Sequence, residues 1–102
     1  MKRYAAHYLY SPEKVYRLHA IELNDEGEIR QIFPLTHEIE STAFYNGTIV
    51  PVKKGTMPET IERIQSMDAL AAVAVSTPGV AVDLYWFEGG LKGILLSEQI
   101  DF

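Results

Sequence analysis

No cysteine occurs anywhere in the chain, which excludes disulfides, thiolate nucleophiles and thiolate metal sites. Basic residues are few: nine Lys and Arg stand against fourteen Asp and Glu, for a net charge of -5. Nucleic-acid binding draws on clustered cations facing phosphate, and the densest basic pair, Lys53-Lys54, is too small to supply them. Long hydrophobic runs are missing too. The longest, Ala69 to Val75, falls far short of the ~20 residues of a membrane span. The start is basic, but His7, Ser11 and Glu13 interrupt before a signal-peptide core forms. The expectation is a soluble, cytoplasmic protein with neither a membrane nor a nucleic-acid partner.

Catalytic signatures are also lacking. The chain has no G-x-S-x-G, no H-E-x-x-H and no dinucleotide fingerprint, and Gly89-Gly90-Leu91-Lys92-Gly93 lacks the spacing of a phosphate loop. Asp25-Glu26-Gly27-Glu28 lacks the spaced ligands of a calcium loop and reads instead as turn chemistry.

What is present suits one domain over residues 1–102, with 47% hydrophobic residues. Arg3 to Tyr10 alternates as a strand, with Tyr4, Ala6, Tyr8 and Tyr10 on one face and Ala5, His7 and Leu9 on the other. After a Ser11-Pro12 turn, Val15 to Leu23 alternates again. Val15, Arg17, His19, Ile21 and Leu23 share one side; Tyr16, Leu18, Ala20 and Glu22 share the other. Asn24 to Gly27 closes a hairpin into a third strand, Glu28 to Phe33, stopped by Pro34. A polar loop from Leu35 to Thr42 follows, and its His37 beside Glu38 is expected in solvent.

Phe44-Tyr45 runs into Asn46-Gly47, a tight-turn dipeptide, and Thr48 to Val50 forms a short strand ended by Pro51. Thr56 is placed to cap a helix with Glu59 reaching back, and Met57, Ile61, Ile64 and Met67 mark its apolar face. Asp68 to Ser76 reads as either helix or strand, and helix continuation gives a single helix over about 57–70. Val80 to Phe87 is a strand apolar on both faces, with Trp86 and Tyr85 on opposite sides. Glu88-Gly89-Gly90 turns into a last strand, Leu91 to Leu96, with a polar tail from Ser97. The fold class is α+β and mainly β: a mostly antiparallel sheet or small β-sandwich of about six strands packed with one helix.

Few groups remain for chemistry. A turn near Pro12 brings His7 and His19 roughly opposite each other, as the start of a metal site, but no third ligand stands at a telling spacing. Two imidazoles among apolar neighbours are the plainer reading, so neither metal nor cofactor is expected. Asp83 stands alone on an apolar strand, as a functional carboxylate or, more simply, as the hydrogen-bonded partner of a turn. Aromatic residues are the richer group, and tyrosine and tryptophan suit interfaces because they bury area while keeping a polar tip.

Three segments carry a family resemblance. Tyr4 to Tyr10 looks like a first strand, Ile21-Glu22-Leu23-Asn24-Asp25-Glu26-Gly27-Glu28-Ile29 like a hairpin with an acidic-glycine turn, and Phe44 to Pro51 like an apolar strand ending in proline. Together they resemble the small composite β-domain that opens amidohydrolase-superfamily enzymes, over roughly the first half of the chain. In those enzymes a His-x-His metal motif follows the proline, on the first strand of a (β/α)8 barrel. Here Val52-Lys53-Lys54-Gly55-Thr56 follows, and about fifty residues remain where a barrel needs about 200. The resemblance therefore implies a structural domain, and no catalytic residue carries over from it.

The leading expectation is a non-catalytic β-domain acting through protein association, as a homodimer or as companion to a larger protein. A small-ligand-binding domain is the alternative, with a pocket between sheet and helix lined by Tyr8, Tyr16, Tyr85 and Trp86. A further alternative is an accessory part of a hydrolase acting on C–N bonds. An enzyme of another type would draw on His7, His19 or Asp83.

Overall fold

A computed structural model of the chain describes residues 2–36, 42–63, 67–87 and 97–100. Its first strand, β1 (Lys2–Tyr10), pairs antiparallel with β2 (Val15–Leu23), which pairs antiparallel with β3 (Ile29–Pro34). This is the expected meander, and its second turn is organised by one side chain. Asn24 Oδ1 accepts from the backbone N–H groups of Glu26 (3.0 Å) and Glu28 (2.9 Å), and Asn24 Nδ2 donates to Glu28 Oε1 at 2.8 Å. Gly27 takes a φ of 77°, in the left-handed region that glycine enters without strain.

The next strand departs from expectation. β4 is one long strand, Thr42–Lys53, running straight through Asn46-Gly47 and Pro51. Asn46-Gly47 is not a hairpin turn. Gly47 (φ 131°) absorbs an extra residue, for β1 and β4 pair as Ala6 with Tyr45 and then Tyr8 with Thr48. An unpaired extra residue of this kind is a β-bulge, which glycine accommodates. β4 lies parallel to β1, and β5 (Val82–Phe87) returns antiparallel beside it. These five strands form a mixed, mainly antiparallel sheet in the order β3-β2-β1-β4-β5, and Ser97–Ile100 (β6) runs antiparallel along β5. The strand expected at Leu91 to Leu96, the turn at Glu88 to Gly90 and the loop with His37 and Glu38 lie outside the described residues.

The sheet curls until its far strands touch. Ile29 N–H donates to the Val80 carbonyl (3.0 Å), Gly79 N–H to Ile29 O (2.7 Å) and Val82 N–H to Gly27 O (3.0 Å), so the start of β3 is clasped to the approach to β5. Inside the curl lie Tyr4, Ala6, Leu9, Ile21, Leu23, Ile29, Ile49, Val82 and Leu84, all buried. The opposite face of β4 and β5 makes a second core, in which Val50, Val52, Tyr85 and Phe87 pack with Ile61, Leu70 and Ala74.

Two short helices cover that second core in place of one continuous helix: α1 (Pro58–Glu62) and α2 (Met67–Val73). Ile64 lies outside the described residues. Thr56 does not cap α1. The residue before a proline is pushed to extended geometry, so Met57 (φ -68°, ψ 137°) becomes the N-cap, with no side-chain cap bond. Thr56 Oγ1 instead donates to Lys53 O at 2.6 Å, closing the turn before the helix. Met57, expected on the apolar face, is 60% exposed. The ambiguous alanine-rich stretch is helix as far as Val73 and then extended, with Ala74 bridging Val52 and Val75 N–H donating to Pro51 O at 2.9 Å.

Candidate functional site

Strand alternation breaks at one level of the sheet. Below it, Tyr4 and Ala6 of β1 and Ile21 of β2 face the inner core; above it the inward residues are Leu9 and Tyr16, an odd number of positions away. On β2 the change falls at Leu18, which takes a φ of 50°. A leucine in the left-handed region is strained by roughly 1–2 kcal/mol. This break decides that Tyr16, rather than Leu18, joins His19 on the inner face.

On the inner face, cross-strand register aligns Trp86, Ile49, Leu9 and Tyr16 in one row, and Tyr45, Ala6, His19 and Pro34 in the next. Rings pair on either side of β1. Tyr16 and His19 stand 4.7 Å apart between centroids, Tyr45 and Trp86 5.5 Å, and Tyr4 and Tyr45 6.4 Å. Trp86 Nε1 donates to Asn46 O at 2.9 Å, and Lys14 Nζ lies 4.6 Å from the Tyr16 ring centroid. Beneath these rings Ala6, Leu9 and Ile49 are completely buried. Tyr16, Tyr45 and Trp86 pack against the core at this end.

The four residues named as a binding set do not converge. Tyr16 and Trp86 share the inner face. Tyr85 is buried in the second core with Ile61 and Leu70, because consecutive residues of a strand point to opposite sides. Tyr8 is 43% exposed, on neither core. Burial of Tyr4 raises its phenol pKa above the usual tyrosine value, and Tyr45 adds to the shift. A neutral phenol favoured only in the folded state contributes stability that is intact below the unfolded pKa and lost above it. Stability is thus expected to fall as pH rises past about 10. Ultraviolet titration of the tyrosines should show a late-ionising group that disappears in Tyr4→Phe.

The histidines do not form a pair. Register sets Ala6 against His19 and Tyr8 against Arg17, so His7 lies opposite Leu18. The His7 ring meets Phe44 edge-on at 5.2 Å. His19 Nδ1 donates to Arg17 O at 2.9 Å, which holds the ring against its own strand. Among the described residues no group of three or more His, Cys, Asp or Glu side chains is arranged to hold a metal ion. Asp83 Oδ2 accepts the Gly55 N–H at 3.1 Å and so braces the Lys53–Thr56 turn.

The outer face carries what sequence reasoning missed. Phe44, Ala5, Ala20 and Phe33 align across β4, β1, β2 and β3, next to a polar row of Thr42, Arg3, Glu22 and Gln31. Around the alignment break, Phe44 (49%), Tyr8 (43%), Val15 (42%) and Leu18 (39%) are exposed, with His7 among them. The only signal in the chain was the Phe44-Tyr45 doublet, which cannot place both rings on one face of a strand.

Searches against protein-family models, curated proteins and solved structures return no match for this chain. Among the described residues no helix is long and apolar enough to cross a membrane.

Proposed function

We propose that this chain is a non-catalytic β-domain that acts in the cytoplasm through protein association, as a homodimer or as companion to a larger protein. The observation that carries the reading is Leu18: a leucine held at a φ of 50° with 39% of its surface in water. Strain is retained where something over-determines it, and the Leu18 side chain itself joins neither core. The strain turns an apolar side chain outward beside His7, Phe44 and Tyr8. A band of this kind marks contact surfaces more often than isolated exposed residues do. The proposal extends to descent from the composite domain of amidohydrolases, supported by the β1 strand, the acidic-glycine turn at Asn24–Gly27 and the apolar run into Pro51. It also extends to a small sandwich-like sheet with Ser97–Ile100 as its sixth strand.

Light scattering behind size exclusion, over a hundredfold concentration range, tests the homodimer. The expected result is a mass that rises towards twice the chain's. Leu18→Asn should return it to one chain's mass while moving stability by no more than about 1 kcal/mol, since asparagine tolerates the left-handed region. A larger loss of stability would make Leu18 a packing residue and remove the main support for the reading. A constant monomeric mass would rule out the homodimer.

A further inference from the structure

We draw no further inference here: the strongest candidate, the polar hollow between the Asn24–Gly27 turn, Lys2 and Lys54, sets two lysines against Asp25 and Glu26, and no second observation singles out a ligand for it.

Discussion

Leu84→Ala should lower stability by about 3 kcal/mol and the thermal midpoint by more than about 10 °C. Leu84 is completely buried on the inner face of β5, in the same core as Tyr4, Ile21 and Ile49. Its Cα partner on β4 is Pro51, whose backbone has no N–H to give and whose carbonyl is engaged by Val75. The rigid proline ring and the Val75 bond to its carbonyl limit how far this backbone collapses into the space, which places the cost in the middle of the usual 2–5 kcal/mol range for such truncations. A domain of this size has about 5–15 kcal/mol in total, so the loss is a large share. Chemical denaturation with fluorescence from Trp86, the chain's one tryptophan, reads it directly. A loss under about 1 kcal/mol would mean that the curl of the sheet is looser than described.

The second large effect is expected at Arg3, through Glu22. Glu22 is a carboxylate only 4% exposed on the outer face of the sheet. Arg3 Nε donates to its Oε2 at 2.7 Å, while Arg30 lies at 3.7 Å and Gln31 Nε2 donates at 3.4 Å. The close arginine is the main compensation for burying the charge, since the other two contacts are long. Arg3→Ala should therefore cost about 2 kcal/mol, more than an exposed ion pair and less than a fully buried one, because the Arg3 side chain is 33% exposed. Removing both charges should undo much of the damage. The Arg3→Leu/Glu22→Leu double variant is expected to be more stable than Arg3→Ala, because no unpaired charge remains. Urea midpoints of the variants decide the matter. A double variant no better than the single one would show that the ion pair itself, and not the stranded carboxylate, sets the cost.

Much of the first half was legible because local rules governed it. Val15–Leu23 is a strand bounded by turn residues at both ends, and Asn24 to Gly27 carries its own turn chemistry. The misreadings came where tertiary context prevailed over a strong local signal. Asn46-Gly47 is among the best hairpin dipeptides, yet β1 pairs with β4 both before and after it, and the dipeptide becomes a bulge. The cap misreading was instead a local effect, since Pro58 shifted the helix cap by one residue from Thr56 to Met57. The face change at Leu18 left no mark in the sequence, because nothing in Arg17-Leu18-His19 demands a positive φ. That single unreadable dihedral brought His19 beside Tyr16, while Tyr8 left the binding set through the separate irregularity of β1 between Ala6 and Tyr8. The parallel pairing of β1 with β4 was equally hidden, since it depends on partners far apart in the chain.

That parallel pairing also sets an order of assembly. Tyr4 meets Ala43 about forty positions away, whereas β1, β2 and β3 are joined by tight turns. Closing the long loop costs entropy before any contact offsets it, so the three-stranded meander should form first and β4 should dock onto it in the slow step. The backbone clasp between Gly27–Ile29 and Gly79–Val82 can close only after β5 has followed. It acts as a latch on the finished structure: weakening it should speed unfolding while leaving the folding rate nearly unchanged.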